Sequence, residues 1–83
     1  MKYTVVLKPR AIKELRRIRK EDATRIADGL MQLENDLFGD VRRLTNFTPE
    51  YRLRVGSYRV LFEIENDNEI VVYRVVHRRD AYR

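Results

Sequence analysis

The chain has 83 residues, of which 43% are hydrophobic and 37% charged, and its formal net charge is +5. This length predicts a single domain over residues 1–83, and the composition is typical of a folded protein with a polar surface. The chain contains no cysteine and one histidine, His77, which excludes disulfide scaffolds, cysteine nucleophiles and multi-histidine metal sites. The positive charge predicts an anionic partner, such as nucleic acid, an acidic protein or a membrane surface.

No apolar run approaches the roughly 18 residues that span a bilayer, and the stretch before Lys8 is not typical of a signal peptide. We therefore expect a cytoplasmic protein with no structural metal, no small-molecule cofactor and no membrane partner. The charges are segregated along the chain. Residues 10–20 carry six basic side chains and one acid, whereas residues 21–40 carry six acids and one base.

Residues 3–7 are rich in β-branched side chains and predict a first strand. A helix is predicted to begin at Pro9, because proline is tolerated at a first helical position, and apolar residues then recur at helical spacing. A second helix is predicted from an N-cap at Asp22 to Leu37, with Gly39 as its C-terminal stop.

Residues 41–50 are predicted to form a loop. Alternating runs on either side of Gly56-Ser57 predict a β-hairpin with a two-residue turn, and residues 69–76 predict a further strand after a turn at 65–68. The β-α-α-β-β-β order predicts an α+β fold, with an antiparallel sheet of about four strands and the N-terminal helical hairpin packed on one face. This order excludes Rossmann-type folds, and the sequence has no glycine-rich phosphate loop.

The predicted hairpin register separates the side chains of the sheet into two faces. One face carries apolar and aromatic residues that can pack on the helices, namely Tyr51, Leu53, Val55, Tyr58, Val60 and Phe62. The other carries Arg52, Arg54 and Arg59, and a four-residue second turn would place Arg74 opposite Arg59. Like charges in opposition destabilise a sheet, whereas phosphate oxygens match the planar guanidinium bidentately. The cluster therefore predicts a polyanion site; the alternative is a solvated arginine face.

The same register places Leu61, Ile70, Val72 and Val76 on the arginine face. Apolar residues that the helices do not cover indicate a partner surface. An acidic, amphipathic partner segment would match both these residues and the arginines. The alternative is that the C-terminal tail or residues 41–50 cover them.

His77 and Arg78 follow the last β-run, and Tyr82 lies four residues beyond Arg78. Histidine accepts and donates protons near neutral pH, and a tyrosine can stack on a base. RNA carries its own nucleophile, the 2′-hydroxyl, so that these side chains and the arginines could cleave it without a metal. One guanidinium that stabilises the transition state is worth about 3 kcal/mol, or about 100-fold in rate.

The stretch YRLRVGSYRVLFEI followed by VVYRVVHRRDAYR resembles the RelE family of toxins, in the RelE/ParE superfamily of type II toxin–antitoxin systems. The order of elements and the length also agree, so that the resemblance extends over essentially the whole chain. It implies a RelE-like fold and a ribosome-dependent endoribonuclease, an mRNA interferase that cleaves mRNA in the decoding A site and inhibits translation. It also implies a cognate antitoxin whose extended or helical segment wraps the toxin.

By position, the resemblance implies a catalytic set made of Arg52, Arg54, Arg59, His77, Arg78 and Tyr82. Arg59 matches the family's phosphate-contacting arginine, and Arg78 matches the arginine placed near the leaving group. His77 stands where members carry lysine or histidine, and Tyr82 stands where a tyrosine is associated with base stacking.

Arg52 and Arg54 match the family's basic pair, but some members have lysines there. Arginine is effectively always protonated and is a poor general base. Either His77 or Tyr82 therefore takes the 2′-hydroxyl proton, or Arg54 acts only electrostatically.

Two other functions stay open: a ParE-like toxin that inhibits DNA gyrase, and a basic RNA-binding module without catalysis. The first would stop DNA replication on induction, and the second would protect mRNA without a cut. On the basic segment, Arg16 and Arg17 are candidate contacts to ribosomal RNA that position the toxin without reading sequence, and Arg74 is a further candidate RNA contact. The alternative for the basic segment is a solvated helix face.

Overall fold

The structure is a computed structural model that describes residues 1–81. Its elements, in chain order, are β1 (Thr4–Leu7), α1 (Pro9–Arg16), α2 (Lys20–Leu33), β2 (Val41–Arg43), β3 (Tyr51–Val55), β4 (Tyr58–Glu65), β5 (Glu69–His77) and a 3₁₀ turn (Arg78–Asp80). The two helices pack on one face of the sheet, which confirms the predicted α+β fold. Within residues 1–81, neither helix is long and apolar enough to cross a membrane.

The sheet has five strands in the order β1-β5-β4-β3-β2. β1 pairs with β5 in parallel, whereas the other neighbours are antiparallel. The sheet is therefore mixed, and it has one strand more than the sequence predicted. The additional strand, β2, lies within the predicted loop at 41–50, because three residues are too few for an alternating pattern to be recognised. The helical hairpin carries the chain from one edge of the sheet to the other.

Helix α2 begins at Lys20, so that Asp22 lies in its first turn and not at the N-cap as predicted. An acid in the first turn still stabilises the positive end of the helix dipole. The helix ends at Leu33, earlier than predicted, and Leu37 lies beyond it with a φ of 58°. Leu37 nevertheless packs against the core, which explains why its spacing resembled a helical position.

The predicted register of the β3–β4 hairpin is confirmed at every pair from Tyr51–Phe62 to Val55–Tyr58. Gly56 opens the turn with a φ of 57°, a left-handed conformation that glycine adopts without strain. The predicted apolar face of the hairpin packs into the core with α1 and α2. Its fully buried members include Val60 and Phe62, which lie against Ile26 and Leu33 of α2.

The predicted pairing of Arg59 with Arg74 is wrong. The turn between β4 and β5 has three residues, not four, and a β-bulge interrupts the pairing after Leu61. Each change shifts the register by one residue, so that Arg59 lies opposite Val76 and Leu61 lies opposite Arg74.

The same shifts correct the assignment of apolar residues to faces, because a shift of one residue reverses the face. Ile70 and Val72 lie in the helix-covered core and not on the arginine face as predicted. Beyond the bulge the second one-residue shift reverses the faces again, so that the residues of β5 there face the sides that the sequence predicted. Leu61 and Val76 consequently do lie on the arginine face, where they form a second apolar cluster with Ala81 and Phe47.

Candidate nucleic-acid interface

The face of the sheet opposite the helices carries an open groove of about 460 Å³. Four arginines from three neighbouring strands line it, together with residues of the β2–β3 loop: Arg42, Arg52, Arg54, Arg59, Leu44, Thr45 and Phe47. We call this the arginine groove. The hairpin register explains its composition, because alternate residues of β3 and β4 point away from the core.

Arg52 is the most buried of the four, with a relative exposure of 7%. Its Nη1 donates to the backbone carbonyl of Asp40 at 2.9 Å and to the Asp40 carboxylate at 3.2 Å. A buried guanidinium needs such partners, because an unpaired buried charge is strongly destabilising. Arg52 therefore joins β3 to the segment before β2.

Arg54 shares the same carboxylate but remains exposed. Its Nε lies 2.5 Å from Oδ2 of Asp40. Desolvation raises the pKa of Asp40, but the hydrogen bond from Arg52 and the charge of Arg54 outweigh it and hold that pKa below its usual value of 3.8. The carboxylate is thus ionised at neutral pH and neutralises one of the two arginines.

Arg59 and Arg78 both contact the turn of the β3–β4 hairpin. Nη1 of Arg59 donates to the carbonyls of Gly56 and Tyr58 at 3.0 and 2.9 Å, and the backbone N–H of Arg78 donates to the carbonyl of Ser57 at 2.7 Å. The turn therefore places the start of the C-terminal segment beside the strand that carries Arg59.

Three arginines of this region have no carboxylate partner among the described residues. Within residues 1–81, none of Arg42, Arg59 and Arg78 forms an ion pair with another residue. The predicted convergence of Arg52, Arg54 and Arg59 on one surface is confirmed. The groove carries four guanidiniums against one bridging carboxylate, and such an arrangement attracts phosphate.

Arg74, by contrast, does not join this surface. Its Nε and Nη2 lie 2.9 and 2.8 Å from Oε2 of Glu14 on α1. Oε1 of Glu14 accepts the backbone N–H of Val75 at 2.9 Å, in the part of β5 that extends beyond its pairing with β1. Glu14 thus closes the edge of the sheet and neutralises Arg74.

His77 is the last residue of β5, one residue beyond the predicted strand, and its ring lies on the Tyr58 side of the sheet. The two rings meet edge to face with centroids 5.6 Å apart, and Tyr58 packs against the helix-covered core. Nδ1 of His77 accepts the backbone N–H of Arg79 at 3.3 Å. In the neutral ring the hydrogen is then on Nε2, which leaves no free acceptor nitrogen.

The candidate contacts to ribosomal RNA lie outside the groove. Arg16 and Arg17 are exposed at the end of α1, as a contact surface would require. Tyr82 lies outside the described residues, so that its proposed stacking role stays a prediction.

Sequence analysis missed Arg42, Asp40 and Phe47. Arg42 lies directly opposite Arg52 and shares its face, but this position depends on β2, whose three residues gave no pattern. Asp40 is one of six acids in residues 21–40, and no pattern in the sequence distinguishes it from the others. Phe47 covers Leu61 and Val76, which is the alternative burial that the sequence left open for them.

Comparison with known proteins identifies the family. A family model described as the ParE toxin of the type II toxin–antitoxin system, parDE, matches residues 5–82. The chain belongs to this toxin family. The predicted resemblance to RelE/ParE toxins is confirmed, and the chain is a type II toxin of the RelE/ParE superfamily.

Relatives of this toxin carry RelE names. Toxin RelE3 of Methanocaldococcus jannaschii is 40% identical over 48 residues, which cover 58% of this chain and 53% of RelE3. The match thus spans about half the length of that relative. A second protein of the same archaeon, named RelE1, is 26% identical over 88 residues, which cover 100% of this chain and 98% of RelE1.

A solved structure has the same fold. A chain in the archaeal RelE–RelB complex from Pyrococcus horikoshii OT3 is 26% identical to this toxin and superposes with a TM-score of 0.77, over 98% of this chain and 100% of that one. The RelE-like architecture predicted from the order of elements is therefore confirmed.

Proposed function

We propose that this toxin is a ribosome-dependent mRNA endoribonuclease that inhibits translation. The observation that carries the proposal is the arginine groove, where the guanidiniums of the exposed Arg54 and the half-buried Arg59 converge on a face that the helices leave open. The RelE names of its relatives support the same activity. The ribosome would present the mRNA, which places the toxin in the cytoplasm.

In the proposed reaction, the RNA 2′-oxygen attacks the adjacent phosphorus while its proton passes to a base. The bond to the 5′-oxygen breaks, and that oxygen receives a proton, which leaves a cyclic phosphate and a 5′-hydroxyl. Arg54 and Arg59 stabilise the charge that develops on the phosphoryl oxygens. Arg78, beside the hairpin turn, acts near the leaving group. Arg52 is held in the sheet and supports the groove from within.

The proton acceptor is proposed to be His77 or Tyr82. For this role the ring of His77 would have to leave its contact with Tyr58 on the helix-covered side and exchange its Nδ1 hydrogen bond for one from the 2′-hydroxyl. Cleavage rates measured against pH for His77→Gln and Tyr82→Phe separate the two. We expect one of the variants to lose a limb of the profile, and a His77→Gln profile identical to that of the native toxin would remove His77 as the base.

The direct test of the activity is primer extension on mRNA in a translating extract. The native toxin is expected to produce cuts at defined positions that require ribosomes. Arg78→Ala is expected to lose them. Protection of the mRNA without a cut would instead indicate a non-catalytic RNA-binding module.

The basic segment supplies a second proposed contact, to ribosomal RNA. Reversing the charges of Arg16 and Arg17 to glutamate is expected to weaken ribosome binding, and the loss is expected to shrink as salt is raised. Unchanged binding at low salt would contradict this contact and leave the segment as a solvated face.

A cognate antitoxin is the proposed protein partner, because a solved structural neighbour is the RelB–RelE antitoxin–toxin complex from Methanococcus jannaschii. An acidic, amphipathic segment would pair with the arginine groove and with the apolar cluster beside it. Co-expression with the neighbouring reading frame, followed by size-exclusion chromatography, tests for a complex of the two chains.

The second candidate function is inhibition of DNA gyrase, which the ParE description of the matching family favours. Induction of the toxin distinguishes the candidates. Arrest of protein synthesis supports the ribonuclease, whereas arrest of DNA replication with an SOS response supports the gyrase inhibitor.

A further inference from the structure

Asp40 lies between α2 and β2 and makes four contacts with two arginines of β3. Its backbone carbonyl accepts the backbone N–H of Arg54 at 3.0 Å and Nη1 of Arg52 at 2.9 Å. Its carboxylate accepts Nη1 of Arg52 through Oδ1 and Nε of Arg54 through Oδ2. One residue thus holds both members of the basic pair, each through backbone and side-chain atoms.

The carboxylate approaches Arg54 from outside the arginine groove. Arg54 lines the arginine groove and also a neighbouring hollow, on the side of α2, that contains Asp40, Asp28 and Gly29. Asp40 lines only the hollow. Because Asp40 engages Arg54 at Nε, the two Nη nitrogens of that planar group keep their donors for another ligand.

We propose that Asp40 is a positioning residue, which holds Arg54 by its Nε edge so that its Nη edge is presented to a phosphate in the groove. This inference rests on the proposed ribonuclease function. Asp40 also anchors Arg52, whose buried guanidinium fixes the spacing between β3 and the Asp40 segment. A carboxylate that merely blocked the groove would have to line it, and Asp40 does not.

The variant that tests this role is Asp40→Asn, with Asp28→Asn as the matched control. Both remove one negative charge from the same hollow, but Asp28 forms no ion pair with residues 1–81. Loss of negative charge alone strengthens the binding of RNA by a basic protein. We therefore expect both variants to bind a non-cleavable 2′-O-methyl RNA at least as tightly as the native toxin.

Cleavage should separate the two variants. With saturating toxin on programmed ribosomes, Asp40→Asn is expected to cut about 10- to 100-fold more slowly than the native chain, because a misplaced guanidinium no longer meets the developing charge. Asp28→Asn is expected to cut at the native rate. The double variant Asp40→Asn/Arg54→Ala should lose less than the sum of the two single losses, because both changes remove the contact between Asp40 and Arg54.

An activity-independent measurement completes the test. The ¹⁵N–¹H correlation of Arg54 Nε is expected to be distinct in the native toxin, to move on addition of the 2′-O-methyl RNA, and to collapse toward the free-arginine position in Asp40→Asn. An unchanged Arg54 signal in Asp40→Asn would overturn the positioning role. So would faster cleavage by Asp40→Asn, which would identify a blocking carboxylate, or additive losses in the double variant.

These experiments can distinguish failure of the ribonuclease function from failure of the positioning role of Asp40. If the native toxin makes no ribosome-dependent cut, the ribonuclease function is wrong. The Arg54 signal and its response to RNA still decide whether Asp40 positions that arginine for a phosphate.

Discussion

The two faces of the sheet are built on different principles. The helix-covered face is closed by apolar packing, with Phe62, Val60 and Ile26 fully buried. The opposite face has a small apolar cluster around Leu61, and next to it lies the arginine groove. Burial of apolar surface is what stabilises a small domain, so the first face supplies the stability.

The open face concentrates charged side chains in place of apolar ones, and it is the face that we propose binds RNA. Asp40 restrains two of its arginines, whereas Arg42 and Arg59 form no ion pair within the described residues 1–81. Arg74 was predicted to belong to this cluster, but Glu14 neutralises it at the sheet edge. The comparison teaches that the nitrogens engaged by a carboxylate, and not charge alone, decide what an arginine can bind. Glu14 engages both Nε and Nη2 of Arg74, whereas Asp40 engages Arg54 at Nε.

The largest difference between the faces should appear in stability. Phe62→Ala removes a fully buried ring and is expected to lower the free energy of unfolding by about 3–5 kcal/mol. Phe47→Ala, on the half-exposed ring that covers the open face, is expected to cost about 1–2 kcal/mol. Urea denaturation of the two variants measures both values, and equal losses would contradict the assignment of stability to the helix-covered face.

A smaller loss is expected at the sheet edge. Glu14→Ala leaves the N–H of Val75 and the guanidinium of Arg74 without their acceptor and should cost about 2 kcal/mol. Glu14→Gln retains an acceptor for the backbone N–H and should cost about half as much. Thermal or urea unfolding at low salt checks this order. A loss below that of Lys13→Ala, which removes a neighbouring exposed lysine with no ion pair among residues 1–81, would show that Glu14 does not stabilise the sheet edge.

The smallest effect concerns Asp40 and pH. Its pKa in the folded chain lies below the value of 3.8 expected when unfolded, so its contribution to stability is present above that value. The contribution is lost as pH falls through the folded pKa. The difference in Tm between the native chain and Asp40→Asn should therefore be constant near neutral pH and vanish in strong acid. A difference that persists in acid would show that the charge of Asp40 contributes nothing to stability.

Local patterns in the sequence predicted much of the fold. The alternation around Gly56-Ser57 predicted the β3–β4 register and, with it, the convergence of Arg52, Arg54 and Arg59. The β-bulge after Leu61 and the three-residue strand β2 could not be predicted, because both depend on pairing with distant residues. The turn length and the bulge together decide which residues of β5 face the arginines.

The candidate site was predictable only in part, for the same reason. Which arginines are paired depends on Asp40 and Glu14, which lie 12 or more residues from their partners in the chain. The position of the His77 ring against Tyr58 depends on the β4–β5 register. At this end of the strands the predicted register differs from the observed one by two residues. Charge clusters can be recognised in a sequence, whereas their neutralisation requires the fold.

The central claim is that Arg59 of the open face, which forms no ion pair within residues 1–81, acts on a phosphodiester. Its most direct test is the single-turnover rate of mRNA cleavage on programmed ribosomes, for Arg59→Ala against Arg25→Ala. Arg25 is an exposed arginine of α2 beside the same Gly56 turn, so that both variants lose one positive charge near one hairpin. Arg59→Ala is expected to cut about 100-fold more slowly than the native toxin, while Arg25→Ala keeps its rate. Equal rates for the two variants would contradict the account.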